Sequence, residues 1–173
     1  MRSRSIVFVA TLAWLLTACA PTFNWRDVPI GDTAVTALFP CKPESVIRTF
    51  ALADTDQQMA MRSCDANGLT FAVAHAHLAD PAQAPAVLTR WRETTLAGLR
   101  ADPATVSREP PQGLPVLPQL LALRAARGPE NAPPLALQGL WFAHGADVFA
   151  AFVMGPTLPP GVRESFFPAL RLR

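Results

Sequence analysis

The residues of this chain that could do chemistry are chiefly its histidines and cysteines. His75 and His77 are two positions apart in an apolar segment, so on a β-strand both side chains would project from one face. Paired imidazoles can bind a metal, but a site needs at least a third ligand, and the other histidine, His144, lies in a predicted turn. The alternative is that both histidines lie where the strand leaves the core and bond to water or to neighbouring polar groups. A metal-binding protein or an enzyme that uses His75 and His77 is one candidate function, and the ligand count disfavours it.

Other catalytic patterns are missing from the sequence. No serine has a Gly-x-Ser-x-Gly context, no glycine-rich phosphate loop occurs, and the acidic residues are scattered. No Cys-x-x-Cys spacing exists, so a redox centre is not indicated. Arg90 and Arg92 could offer their charges to an anion, although an ordinary helix surface accounts for them better. The sequence predicts no catalytic residue and no cofactor.

The N-terminus has the parts of an export signal in the usual order. Arg2 and Arg4 precede an uncharged apolar run over residues 6–16, and small residues follow at 17 and 18. This order is typical of a secretory signal peptide. The run is too short for a membrane span, which needs about 20 apolar residues.

The segment Leu16–Cys19, "LTAC", resembles the lipobox of bacterial lipoproteins. The resemblance implies that residues 1–18 are a cleaved signal peptide and that the thiol and the new amine of Cys19 are acylated. The partner would then be a lipid bilayer, and the protein would face the periplasm. Ala20, in place of Asp, favours the outer membrane. More than one acyl chain is needed for stable attachment, because each buried methylene contributes about 0.8 kcal/mol. The alternative is an ordinary cleavable signal, or an uncleaved anchor, in which Cys19 is incidental.

Cys41 and Cys64 remain as an even pair if Cys19 is acylated. An oxidising compartment favours a disulfide between two such residues. We predict a Cys41–Cys64 bond, which would close a loop of about 24 residues and contribute roughly 3 kcal/mol on the chain-entropy account. The alternative is a pair of buried free thiols.

The predicted mature chain carries no net charge. Two of the 15 basic residues lie in the signal, whereas all 13 acidic residues follow it, so 13 of each remain. Without a basic patch, the chain lacks the electrostatic signature of nucleic-acid binding. The 155 residues after the signal are enough for one domain with a real core.

The mature chain divides into a tether and a folded region. Residues 19–33 have two prolines, a glycine and no sustained periodicity, so we expect an acylated N-terminus and a tether in which Phe23 and Trp25 dock on the domain or at the lipid interface. From residue 34, short alternating segments predict a meander of antiparallel strands, with a turn at Asn67-Gly68 before a strand over 69–78. Alternate residues of that strand are alanine, so one of its faces would let a helix approach closely.

A helix is predicted directly after this strand. Asp80 is a good N-cap and Pro81 suits a first turn, although Pro85 moves the expected helix to about 84–101. Its stripe of Leu88, Trp91 and Leu99 would lie on the sheet, on the alanine face.

The C-terminal third alternates between irregular and strand-like sequence. Eight prolines make residues 103–134 irregular, with one strand at 120–127. Residues 134–155 predict a hairpin that turns at His144-Gly145, and both of its strands are apolar on both faces, as in the middle of a covered sheet. A short helix is expected at about 160–167, stopped by Pro168.

These elements predict a single α+β domain over residues 34–173: an antiparallel sheet packed with one main helix and a short C-terminal helix. The segments "LFPCKPE" at 38–44, the strand–"DP"–helix unit at 69–100 and "ESFFPALRL" at 164–172 resemble the Mog1/PsbP-like fold and small envelope lipoproteins built on it. Cys41 departs from the glycine expected there. The resemblance implies a fold and no activity, because that family includes unrelated functions.

Three functions are consistent with this pattern. The first is a lipid-anchored, non-catalytic periplasmic domain that binds an envelope protein or another envelope component. The second is the metal or enzyme alternative at His75 and His77. The third is a carrier of a small apolar ligand, held in a pocket between the sheet and the helix.

Overall fold

The computed structural model describes residues 23–52, 55–127 and 133–173. In these ranges the chain forms an α+β fold in which every strand pairing is antiparallel, as predicted. The strands are β1 Arg26–Pro29, β2 Val35–Phe39, β3 Glu44–Leu52, β4 Thr55–Ala66, β5 Leu69–His77, β6 Leu121–Ala126, β7 Ala136–His144, β8 Asp147–Gly155 and β9 Arg171–Leu172. The helices are α1, Ala84–Leu99, and α2, Pro160–Phe166.

The strands form two sheets where the sequence predicted one meander. The large sheet has six strands in the order β3-β4-β5-β8-β7-β6, and the small sheet has the order β1-β2-β9. The strand at 35–39 therefore does not continue into β3 as a neighbour. It turns away and packs its buried residues Val35, Ala37 and Phe39 against one face of the large sheet.

Strand β5 shows that the large sheet is covered on both faces. Phe71 and Val73 belong to a core cluster shared with the small sheet and α2. Ala74 and Ala76 point the other way, into a second cluster with Leu88 and other residues of α1. The predicted contact between the alanine face and the main helix is confirmed, and methyl groups allow the close approach.

Helix α1 begins and ends through local backbone features. The side chain of Asp80 accepts a hydrogen bond of 2.9 Å from the backbone N–H of Ala82, and so caps the short 3₁₀ turn Pro81–Gln83 that leads into the helix. The helix ends at Leu99, two residues before the predicted end, because Arg100 has a left-handed backbone conformation with φ of 53°.

The predicted tether is corrected from residue 23 onward. Residues 26–29 form β1, paired with β2, and Ile30 is buried. Phe23 and Trp25 pack against the first core cluster, with ring centroids 6.4 Å and 6.1 Å from that of Phe71. Of the two places considered for these aromatic residues, the structure shows the domain surface.

The C-terminal elements largely follow the predicted pattern. Within the proline-rich segment the described residues form one strand of the large sheet, β6, and residues 128–132 lie outside the description. The β7–β8 hairpin turns one residue later than predicted, because His144 still pairs with Asp147 and Gly145 takes the positive φ of 64°. In α2, Phe166 is fully buried, with ring contacts to Phe39 and Phe71.

The Cys41–Cys64 disulfide is present, with Cα atoms 6.0 Å apart. Cys41 lies two residues after the end of β2, a strand of the small sheet. Cys64 lies in β4, a strand of the large sheet. The bond therefore joins the two sheets at a point where the chain passes from one to the other.

Replacing both cysteines with serine should lower the free energy of unfolding by about 3 kcal/mol, because the unfolded chain loses its cross-link. Urea denaturation of the double variant Cys41→Ser/Cys64→Ser beside the oxidised wild type measures this difference. A reducing agent should shift the wild-type curve by a similar amount and leave the variant unchanged. A double variant as stable as the oxidised protein would contradict the predicted contribution.

Candidate functional site

The two predicted histidines lie at the end of β5, beside the start of β8. The strand register places His77 opposite Asp147 and His75 opposite Phe149. Since paired residues share a face, the two imidazoles and the carboxylate of Asp147 meet on the side of the sheet away from α1. His75 also stacks on Phe149, with ring centroids 5.0 Å apart.

A single carboxylate oxygen joins the two rings. Nε2 of His75 and Nδ1 of His77 each lie 2.9 Å from Oδ1 of Asp147. The side chain of His75 is 17% exposed and that of His77 is 69% exposed, so the group reaches from the core to the surface. This arrangement matches the alternative in which the histidines bond to a neighbouring polar group.

The protonation of Asp147 reflects this position. Partial burial raises the pKa of its carboxyl, but the hydrogen bonds from His75 and His77, and the attraction of their charged forms, lower it more. The net result is a pKa below the usual value of 3.8. Asp147 is therefore ionised near neutral pH and accepts a hydrogen bond from each of the two rings.

A metal centre does not emerge from this geometry. His144 is exposed at the end of β7, and over residues 23–52, 55–127 and 133–173 no group of three histidine, cysteine or acidic side chains is placed to hold a metal ion. Asp147 was missed from the sequence because its position beside His75 and His77 depends on β8 lying next to β5. That pairing joins residues about 70 positions apart, and no local pattern reports it.

The second feature is an apolar groove between α1 and the large sheet, which we call the helix–sheet groove. Its volume is about 280 Å³. The helix supplies one wall, made of Arg90, Trp91, Thr94 and Thr95. The sheet supplies the floor and the other wall, made of Phe50, Met59, Met61, Ala74, Leu137, Phe152 and Met154.

The groove exists because α1 covers only part of its face of the sheet. The second core cluster takes buried side chains from β4 to β8, and none from residues 44–50, the part of β3 whose side chains are described. Over residues 44–50 of β3 no side chain is buried, and Phe50 is 46% exposed. Met61, Phe152 and Met154 are consequently only partly buried.

Two expectations for the helix are revised here. Trp91, predicted as a core residue, is partly buried and lines the groove. Arg92 is committed elsewhere: it forms an ion pair of 2.9 Å with Glu93, which Arg108 also contacts at 3.3 Å. Burial raises the pKa of Glu93, but the hydrogen bond and charge of Arg92, together with those of Arg108, lower it by more. The pKa of Glu93 is therefore below its usual value. Of the two arginines considered for an anion, only Arg90 lines the groove.

A wider depression of about 430 Å³ lies near the end of α1, beside Leu96, Arg100 and Arg108. It is open to solvent and has less apolar surface than the helix–sheet groove. Ligand sites are usually concave and mostly apolar, with a few polar groups. The helix–sheet groove fits that description better.

The remaining predicted site residue, Cys19, lies outside the described residues. Within the described ranges neither helix has the length and apolar character to cross a bilayer. Comparison of the chain with protein-family models, with curated proteins and with solved structures found no match. The resemblances to lipoproteins and to the Mog1/PsbP-like fold therefore stay predictions.

Asp147→Asn should make the free energy of unfolding vary less with pH in the acidic range. Because the pKa of Asp147 is lower in the folded state, its carboxylate stabilises the fold above pH 3.8, and this contribution is lost as the pH falls through the folded-state pKa. We expect the variant to be less stable than the wild type near neutral pH, with the difference shrinking in acid. Urea denaturation over a pH series measures it.

The matched control is Asp27→Asn, which removes one exposed carboxylate in β1 and touches neither histidine. An Asp147→Asn deficit that stays constant from neutral pH to the most acidic pH at which the protein folds would rule out the bridging role.

Proposed function

We propose that this chain is a lipid-anchored domain of a bacterial cell envelope, which binds an apolar ligand in the helix–sheet groove without transforming it. The single observation that carries the binding role is the groove itself. Its floor is apolar and partly open, in a fold whose other sheet face is closed by the small sheet and α2. Contiguous exposed apolar surface is typical of interaction sites.

The anchor is supported by the N-terminal sequence and by the disulfide. The order of basic residues, apolar run and "LTAC" favours export and acylation at Cys19. By the resemblance to lipoproteins, Ala20 favours the outer membrane, with the domain facing the periplasm. The Cys41–Cys64 bond is consistent with an oxidising compartment. Residue 23 already belongs to the packed domain, so only a few residues would separate the lipid from the fold.

A binding role fits the polar groups better than a catalytic one. In the His75–Asp147–His77 group, one carboxylate oxygen accepts a hydrogen bond from each ring, so these polar groups are bonded to one another. It lies on the opposite face of the sheet from the groove, so it cannot act on a ligand held there. The α+β outline agrees with the Mog1/PsbP-like resemblance, which transfers no activity.

The anchor is tested by the chemistry of residue 19. The wild-type protein isolated from envelope membranes should begin at Cys19, and mass spectrometry of its N-terminal peptide should show fatty acyl groups. Cys19→Ser should lack both the acyl mass and the new N-terminus. An intact Met1 together with an unmodified Cys19 thiol on the wild-type protein would refute the lipoprotein proposal.

The groove is tested with a neutral apolar probe, N-phenyl-1-naphthylamine, whose fluorescence rises in apolar surroundings. The chain from residue 20 is suitable, because both core clusters consist of residues from 23 onward. The double variant Met61→Gln/Met154→Gln keeps the side-chain length but places two amides on the floor. Covering an amide without a partner costs about 1–3 kcal/mol, so binding should weaken at least tenfold.

Ile47→Gln is the matched control, since Ile47 is 68% exposed on the opposite face of β3. It should bind the probe as the wild type does. Equal binding by the wild type and the methionine double variant would place the probe outside the groove. No binding by any of the three proteins would remove the proposed function.

A further inference from the structure

We infer that one end of the domain faces the lipid bilayer and that the His75–Asp147–His77 group lies at the other end, away from the lipid. We call the first of these the anchor end; it comprises Phe23, Lys42, the disulfide and the Asn67-Gly68 turn. The inference rests on the proposed function, because it starts from acylation of Cys19 and adds the protein surface that meets the lipid.

The first described residues are fixed at one end of the large sheet. The backbone N–H of Asn24 donates a hydrogen bond of 2.8 Å to the carbonyl oxygen of Pro40. The ring of Phe23 packs against that of Phe71, near the start of β5, with centroids 6.4 Å apart. The residue after Pro40 forms the disulfide with Cys64, which pairs with Phe71 in the strand register. The chain therefore enters the domain beside the disulfide.

The chain between the proposed lipid and this point is short. Residues 19–22 precede Phe23, and four residues span at most about 14 Å in any conformation. The nine-residue strand β5 alone is about 30 Å long. Because the tether is about half as long as the strand, it holds the anchor end close to the bilayer and leaves the other end further from it.

The strand register identifies the residues at the far end. Strand β5 follows the Asn67-Gly68 turn, passes Phe71 and ends at His77. Six residues of a strand span about 20 Å, which is the separation along β5 between Phe71 and His77. Asp147 pairs with His77, so the whole His75–Asp147–His77 group lies at this end. With the anchor end on the bilayer, the group faces the aqueous side, where the exposed side chain of His77 is accessible.

Aromatic side chains at the anchor end suit contact with lipid head groups. Phe23 and Trp25 pack on Phe71, but both remain half-buried, and their ring centroids are 5.6 Å apart. Tryptophan is enriched at membrane–water interfaces, where its ring lies at the level of the head groups. The exposed parts of these two rings are therefore placed where the tether brings the domain against the lipid.

The test uses the single lysine of the sequence as a labelling site. Lys42 is exposed, and once the amine of Cys19 is acylated, the ε-amine of Lys42 is the one primary amine of the mature chain. The acylated protein is labelled in detergent with an amine-reactive fluorophore. It is then placed in phosphatidylcholine–phosphatidylglycerol vesicles that contain a rhodamine-labelled lipid. Energy transfer to this lipid measures the height of the label above the bilayer.

The matched controls move the lysine to the far end without changing the net charge. Lys42→Gln/Ala79→Lys places it at an exposed position two residues after β5, and Lys42→Gln/His144→Lys places it at the exposed end of β7. We expect the label at either far position to lie about 20 Å further from the bilayer than the label at Lys42. Two control variants keep the comparison available if one of them does not fold.

The possible failures of the anchor and of the anchor end are separate. Equal label heights at Lys42 and at the far positions, on protein whose acylation is confirmed by mass spectrometry, would overturn the anchor end and leave the lipid anchor standing. A label at Lys42 that lies further from the bilayer than the far labels would do the same. An unmodified Cys19 thiol on the wild-type protein would remove both the lipid anchor and the inference.

Discussion

The structure depends on a mismatch of area: one helix has to cover one face of a six-stranded sheet. Helix α1 has 16 residues, so it is about 24 Å long and, with side chains, about 10–12 Å wide. Six strands at about 4.8 Å spacing make a surface about as wide as the helix is long. A single helix cannot shield that surface completely, and side chains of β3, β4, β5, β8 and β7 line the space that it leaves, the helix–sheet groove. The groove is thus a consequence of the topology.

The opposite face has no such deficit, because more elements share it. The small sheet and α2 bring Phe39, Phe166 and Phe167 onto Phe71 and its neighbours, and all four rings are fully buried. The disulfide holds the edge of this layer to β4. The two faces therefore differ in composition: a cluster of phenylalanine rings and a cross-link fill one side, whereas alanines, methionines and leucines around Trp141 fill the other. The proposed binding surface lies on the side that carries the methionines, whose unbranched side chains adapt to partners of variable shape.

Local features of the sequence predicted much of this fold, whereas long-range pairings were out of reach. The alternation in β5, the Asp80–Pro81 helix start, the Asn67-Gly68 turn and the cysteine pairing all depend on neighbouring residues or on the counting of thiols. The position of β8 beside β5 does not, and it alone brings Asp147 to the histidines and Met154 to the floor that begins at Met59. For the same reason, the sequence predicted β2 as part of one meander with β3, whereas β2 belongs to the small sheet. Hydrophobic periodicity predicts which face of a strand is buried, but it does not predict which element packs against that face.

The anchor and the groove are physically linked in the proposed function. A groove of this size buries little surface, so its affinity for a free apolar ligand in water would be modest. Attachment to a bilayer changes that condition, because tethering two partners at one surface raises their effective concentration without any new contact. In the proposed function, a weak site is then sufficient to capture an apolar ligand near the membrane, and weak enough to release it. The predicted mature chain has no net charge, which suits the same task, since a strongly acidic domain would repel an anionic membrane surface and a strongly basic one would bind it directly.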